Sequence, residues 1–424
     1  MINSLTDDLP SILYGEGDRL SVLKAMLKQL GQPDQTVKII HIAGTNGKGS
    51  TANMISHLLL AHGYRTGLFT SPHLYSECES IKVNDQMISQ SDFSCIMAEV
   101  HRAAIVLGLD PQKDLSQFET TFLIGILYYA HLACDYLVLE CGVGGGLDAT
   151  NAISHSEYAI FTKIGMDHLN LLGDSLQAIV ETKAGIIRSN QQVIVAPNQK
   201  NGVVERLKQI SSEQKSSFHD SSDQKIVYKR PHYFQVELNQ KSFELYLPLL
   251  GTFQNENLKT VFKWYQVWLE SEQPSPIETD MTKAFKDLRM VGRFEKVQST
   301  PDIILDAAHN LDAIQELISS IQSLYAGQKL SILCGFLKDK DVPAILDELL
   351  KLTADFYVTQ PDFPDRAMDT KELAKLFEQK GSSVISYPDS RAGLKQLMED
   401  QDDPIIVVGS FHLIKKVRDL FATN

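Results

Sequence analysis

Gly44, Thr45, Asn46, Gly47, Lys48, Gly49 and Ser50 stand in a row and combine what a polyphosphate needs. Glycines let backbone N–H groups wrap phosphate oxygens, Lys48 adds a full positive charge, and the Ser50 hydroxyl can reach a magnesium ion. Gly49 separates the lysine from the hydroxyl, a departure from the commonest spacing of phosphate loops. A glycine-rich turn that merely caps a helix is the rival reading; the strand-like run before the loop and the helical pattern after it favour phosphate. Glu140 follows another apolar run, and a carboxylate there is a hard oxygen ligand for magnesium. The glycines of 141–146 permit close backbone or substrate approach, or form a tight turn, and Asp148 and Asn151 beyond them can hydrogen-bond a substrate. Asp167 and His168 follow a third run, Lys183 opens Lys-Ala-Gly-Ile on a helical pattern, and Asp306-Ala307-Ala308-His309-Asn310 follows a fourth run. Alone, His168 would be an ordinary structural histidine; a strand-end place like those of Glu140 and the Lys48 loop makes it a candidate. Arg293 suits a phosphate clamp.

Such groups converge only if the strands before them run side by side. Apolar runs of strand length at 37–42, 64–69, 136–139, 158–161 and 193–196 alternate with helical patterns, which predicts a mainly parallel sheet with helices on both faces. Met54, Ile55, Leu58 and Leu59 share one helical face, and Gly63 supplies the stop. Residues 211–225 are polar and aperiodic and predict a solvated loop, 226–249 alternate as a small antiparallel annex, and 271–276 carry two prolines after an aromatic helix. A second series of strands is predicted at 302–305, 330–334, 356–358, 383–387 and 405–408. The chain therefore divides into two α/β domains, 1–295 and 296–424. Asp306, Gly335, Thr359 and Gly409 follow the later strands, at the carboxyl ends where open α/β sheets bind ligands.

A length of 424 residues exceeds one ordinary core, and 43% apolar with 8% aromatic residues describes a globular protein. A net charge of -13 argues against nucleic-acid and anionic-membrane partners, so anionic ligands must meet local cations. The five cysteines, Cys78, Cys95, Cys134, Cys141 and Cys334, form no CxxC pair, which favours a reducing interior. Residues 1–10 lack the pattern of a secretory signal, and the run 122–133 is too short to span a bilayer and reads as a buried helix. The expectation is a cytoplasmic protein with no membrane role.

Taken in order, the strings Gly44 to Ser50, Ser71-Pro72-His73-Leu74, Phe118-Glu119, Leu147-Asp148-Ala149-Thr150-Asn151, Asp167-His168, Lys183-Ala184-Gly185-Ile186, Gly292-Arg293-Phe294-Glu295, Asp306 to Asn310 and Asp339-Lys340-Asp341 closely resemble the folylpolyglutamate synthase and dihydrofolate synthase family. That family belongs with the Mur-type ligases, and the match covers nearly the whole chain. The resemblance implies a P-loop-type domain and a C-terminal Rossmann-like glutamate-ligase domain, working as a monomer on ATP, L-glutamate and a folate or dihydropteroate. It implies an acyl phosphate, and magnesium, as two ions, served by Ser50, Ser71, Glu140 and His168. Lys183 matches a family lysine found carbamylated and joins Lys48 and His309 as catalytic. The loop 44–50 with Asn257, Arg293, Asp306 and His309 matches the ATP positions, Phe118, Asp148 and Ala149 the pterin or pteroate side, and Ser410 the glutamate site.

Four positions depart from the family pattern: Ser80 and Gly146 replace arginine, Phe253 replaces histidine and Thr182 replaces glutamate. The first two bear on the folate side and Phe253 on one nucleotide contact. Two other readings stay open. A Mur-type peptide ligase shares the chemistry, although the stretch before Gly44 is too short for the nucleotide-sugar domain such enzymes carry. A paralogue that binds ATP in a regulatory role is kept alive by Ser80 and Gly146.

Overall fold

The computed structural model describes Thr6, Leu9 and residues 16–238, 240–273 and 281–421. The readings placed on 1–10, apart from Thr6 and Leu9, and on Pro274 and Pro276 lie outside the described residues.

Parallel strands covered on both faces read as unbroken apolar runs, and Ile39 to Ala43 are buried without alternation. That run is β1 (Lys38–Ala43), the centre of an eight-stranded sheet with β2 (Thr66–Phe69), β3 (Ile81–Val83), β4 (Gln86–Met87), β5 (Tyr136–Glu140), β6 (Tyr158–Phe161), β7 (Gln192–Val195) and β8 (Ser217–Asp220). Their order is β4-β3-β2-β5-β1-β6-β7-β8, parallel from β2 to β8, with β3 and β4 antiparallel at one edge. All six parallel strands thus end on the same edge of the sheet.

The polar stretch 211–225 is not the loop expected of it. It contains the end of the helix Val203–Glu213 and then β8, whose Ser-Phe-His-Asp sequence pairs, among the described residues, with β7 alone. An edge strand has one paired side and little to bury, so it carries no apolar pattern to read.

One sheet face packs Ile39, Phe69, Leu137 and Leu139 against Phe122, Leu123 and Ile126 of the helix Gln117–His131, which contains most of the apolar run 122–133. On the same face, over the β6–β7 half of the sheet, Phe161, Val193 and Val195 are buried with Ile179 and Leu207. Ser116 and Glu119 start the helix Gln117–His131 with a reciprocal capping box. Glu119 also receives Nε and Nη2 of Arg19, at 2.9 and 2.8 Å. Within the string Phe118-Glu119, the carboxylate is therefore committed to holding the fold.

Strands β9 (Ile226–Arg230), β10 (Tyr233–Leu238) and β11 (Lys241–Tyr246) form a three-stranded sheet in the order β11-β10-β9, within the expected annex. A third sheet holds β12 (Glu295–Ser299), β13 (Asp302–Asp306), β14 (Leu330–Cys334), β15 (Ala354–Thr359), β16 (Ile385–Tyr387) and β17 (Ile405–Val408), ordered β12-β13-β17-β14-β15-β16 and parallel except for β12. Period-two alternation sends Ile304, Ile332, Val358 and Ile406 into one core and Ile303, Leu305, Leu333, Ile405 and Val407 into the other.

Two compact units result. The first takes the described residues within Met1–Val227, Phe234–Tyr246 and Asn255–Leu288, and the second those within Tyr228–Tyr233, Leu247–Gln254 and Arg289–Asn424. No described helix is long and apolar enough to cross a membrane.

Candidate phosphate and acceptor sites

In the first unit, β1 ends at Ala43, and the chain turns through Gly44 to Gly47 into the helix Lys48–Ala61. Gly47 caps that helix at φ 87°, and a Cβ there would fall 2.3 Å from Oδ1 of Asn257, so only glycine fits against this asparagine. The loop is pinned from β6's side: the N–H groups of Thr45 and Asn46 donate to the Lys163 carbonyl at 2.7 and 3.2 Å. Lys48 Nζ folds back onto the carbonyls of Gly44 and Thr45, at 3.1 and 3.2 Å. Lys183, on the helix Leu176–Ala184, donates to the same Gly44 carbonyl at 2.8 Å while almost wholly buried. Two amines thus converge on one carbonyl at the mouth of the loop.

Burial, and then the charge of Lys48, bring the Lys183 amine down to about 7 from its ordinary 10.5. Between those values the unfolded chain holds a proton that the folded chain lacks, so this lysine makes stability rise with pH from about 7 to 10.5 and adds no slope below 7. Urea midpoints measured across that range should climb less steeply in Lys183→Met than in the wild type; equal slopes would refute the buried neutral amine.

Neighbouring strand ends carry the candidate oxygen ligands. Glu140, the buried last residue of β5, accepts the Ser71 N–H at 3.1 Å, which brings the candidate metal positions after β2 and β5 together. Ser50 lies in the first turn of the helix Lys48–Ala61. His168 adopts φ 51° ahead of a short helix, and its ring lies 3.9 Å from the Asp167 carboxylate. Among the described residues no three His, Cys, Asp or Glu side chains form a metal cage. Magnesium keeps water and takes one or two protein groups plus substrate phosphates.

The segment after Glu140 carries the candidate acceptor residues. Asp148 is buried and accepts the N–H of Val143 at 2.8 Å and of Thr150 at 3.0 Å, while burial raises its carboxyl above the usual range. Phe118 lies over Gly142, where a Cβ would meet its ring at 2.7 Å, and Ala149 is buried beside Asp148. The Gly146 N–H donates to the Thr182 carbonyl at 2.6 Å. A Cβ on Gly185 would fall 2.4 Å from Gly146 Cα and 2.9 Å from its nitrogen, both backbone atoms that cannot rotate away. Gly185→Ala should therefore cost about 1–3 kcal/mol, read as a lowered denaturant midpoint; an unchanged midpoint would show that the segment 142–148 shifts freely.

The departures from the family pattern sit in this frame. At Gly146 a Cβ would lie 3.3 Å from the Thr182 carbonyl oxygen and 3.5 Å from Gly185 Cα, a tight fit against backbone. Ser80 is buried, and its carbonyl accepts the Thr70 N–H. Thr182 turns its hydroxyl to the Ala178 carbonyl at 3.0 Å.

In the second unit, Asp306 at the end of β13 accepts the N–H groups of Phe294 and Ala308, each at 2.7 Å. Burial pushes its carboxyl up to about 6. The Arg293 guanidinium lies 4.5 Å over the Phe411 ring, whose centroid is 6.5 Å from that of His309. His309 donates Nδ1–H to the Ala307 carbonyl at 2.7 Å, which sets its tautomer. The Ser410 hydroxyl caps the helix Phe411–Arg418 through the Leu413 N–H. Phe253 meets Phe294 edge-on at 6.4 Å. Phe411 was missed in the sequence because an aromatic after a strand looks like core.

A lysine-bearing phosphate loop on a parallel sheet, followed by a second parallel α/β unit, defines a Mur-type ATP-dependent ligase. Residues 42–263 match the Mur ligase middle domain and 292–411 the Mur ligase glutamate ligase domain. The chain is similar to the folylpolyglutamate synthase of Lacticaseibacillus casei, 30% identical across 95% of this chain and 94% of the other. The Mycobacterium tuberculosis folylpolyglutamate synthase complexed with ADP and AMPPCP superposes with a TM-score of 0.87 at 28% identity, covering 99% of this chain and 97% of that one. A bifunctional folylpolyglutamate synthase/dihydrofolate synthase with Mn, AMPPNP and L-glutamate bound gives 0.82 at 25% identity, covering 97% of this chain and 96% of that one. The chain belongs to the folylpolyglutamate synthase/dihydrofolate synthase family.

Proposed function

We propose that this chain joins L-glutamate to a folate-type carboxylate at the expense of ATP. The observation that carries the reading is the convergence of Lys48 and Lys183 on the Gly44 carbonyl, next to the strand ends that hold Ser71 and Glu140. A carboxylate and an amine do not condense in water without activation. The acceptor carboxylate attacks the γ-phosphorus and ADP leaves; the glutamate amine then attacks the acyl phosphate, phosphate leaves, and the new amide nitrogen loses its proton. Lys48 stabilises the charge spreading over the transferring phosphoryl group.

In our reading Ser50, Ser71, Glu140 and His168 would hold the divalent metal, as two magnesium ions. Bound there, they would neutralise the phosphate oxygens and orient them for in-line attack. Residues 44–50 and Asn257, with Arg293, Asp306 and His309 of the second unit, are the proposed nucleotide contacts, and His309 and Lys183 the further catalytic groups. Phe118, Asp148 and Ala149 are assigned to the acceptor and Ser410 to glutamate. The neutral Lys183 amine above about pH 7 suits addition to carbon dioxide, giving a carbamate and a proton. An intact-mass increment confined to that lysine would support the adduct, and an unmodified, fully active protein would exclude it. The functional boundary is placed at Glu295, and the working form is a cytoplasmic monomer.

The deciding experiment follows ATP-dependent incorporation of labelled glutamate with dihydropteroate and with tetrahydrofolate at saturating magnesium. Incorporation with both makes the protein bifunctional, and incorporation with one assigns a single step. Incorporation with neither, in a protein that binds ATP, overturns the proposal.

A further inference from the structure

We infer that His41 is a positioning residue: acting through Thr150, it ties the Asp148 segment to the strand that carries the phosphate loop. This rests on the proposed function, in which Asp148 faces the acceptor. His41 lies within β1, between Leu139 of β5 and Ala159 of β6, and is wholly buried. Its Nε2 is 2.9 Å from Thr150 Oγ1 and 3.1 Å from Cys141 Sγ. Thr150 Oγ1 donates its one hydrogen to Asp148 Oδ1 at 2.5 Å, the stronger bond because its acceptor is a carboxylate. The hydroxyl oxygen must then accept, and the donor is His41 Nε2–H, with Cys141 Sγ sharing the same hydrogen.

The other ring nitrogen decides between packing and function. Nδ1 has no hydrogen-bond partner among the described residues, in a fully buried site. A leucine would fill such a position in a sheet core without stranding a polar atom, whereas leaving one unsatisfied is costly. The histidine is explained by what its Nε2–H holds. Two residues after it β1 ends and Gly44 begins, so the chain His41–Thr150–Asp148 links the nucleotide side and the acceptor side inside one unit. Burial keeps the ring neutral, well below its ordinary pKa, as the donor–acceptor order requires.

His41→Leu, His41→Gln, Thr150→Val and the Leu/Val pair test the link. Expected for His41→Leu is a KM for the acceptor raised about tenfold, the effect of one buried hydrogen bond, with KM for ATP unchanged. His41→Gln, which keeps an N–H donor, should restore most of it, and the double variant should be no worse than either single one. Amide exchange should quicken in residues 142–150 and not across β7. Equal changes in both KM values, additive effects in the pair, or unchanged exchange in 142–150 would overturn the inference. If His41→Leu fails to fold, Thr150→Val and His41→Gln carry the same readouts. Quickened exchange together with a wild type that incorporates no glutamate would sink the ligase reading and leave the tether standing.

Discussion

Replacing Lys48 by alanine should leave the fold intact and remove turnover. In the structure its amine bonds only to carbonyls of its own loop among the contacts described, at 3.1 and 3.2 Å, so its loss strands no carboxylate and opens no core. Its positive charge is what the transferring phosphoryl group would lose. Removal of one preorganised electrostatic contact costs about a hundred- to a thousandfold in kcat. The check is single-turnover glutamate incorporation by purified Lys48→Ala beside its thermal unfolding curve. Activity within tenfold of the wild type would count against the phosphate-loop assignment, whereas a collapsed melting transition would show that the lysine is a scaffold residue.

The largest effect on stability is expected at Glu119. Its carboxylate receives Arg19 twice and both the N–H and the hydroxyl of Ser116, at 2.8 and 2.9 Å, and it is buried. Truncation to alanine leaves a half-buried guanidinium without its anion and uncaps the helix that forms one face of the first core. Breaking a buried pair in this way costs about 3–5 kcal/mol. Urea unfolding of Glu119→Ala measures it, and Arg19→Ala together with Glu119→Ala should cost less than the sum of the two. A loss under about 1 kcal/mol, the scale of an exposed ion pair, would mean that the pair is solvated and that the string around Phe118 has another purpose.

These residues also show how far a sequence can be read. The strand–loop–helix around Lys48 was legible because apolar run, glycines and helical face follow one another within a few residues. The central strands of both large sheets were legible for the same reason, being buried on both faces. β8 and β12, each weakly buried at a sheet edge, were not, and neither was the short hairpin of β3 and β4. The convergence of Lys183 on Gly44 was invisible for another reason: 139 positions separate them, and only the packing of the sheet reveals the shared carbonyl. His41 looked like a polar interruption in an apolar run. Its partner Thr150 lay in a recognisable string, but nothing in either residue type announces a bond across 109 positions.

The order of the first sheet also governs when this protein becomes able to bind anything. Ile40 lies beside Val138 on one side and Tyr158 on the other, so the central strand is made early by the ribosome and has no neighbour until much later. Thr45 and Asn46 are shaped by the carbonyl of Lys163. A nascent chain that has emitted the phosphate loop but not yet Lys163 lacks the anchor that sets its curvature, and pairings over such separations form slowly. Nucleotide affinity should therefore switch on abruptly during synthesis. From that point, ATP acts as a late stabiliser of the completed sheet, by mass action on the folded form alone.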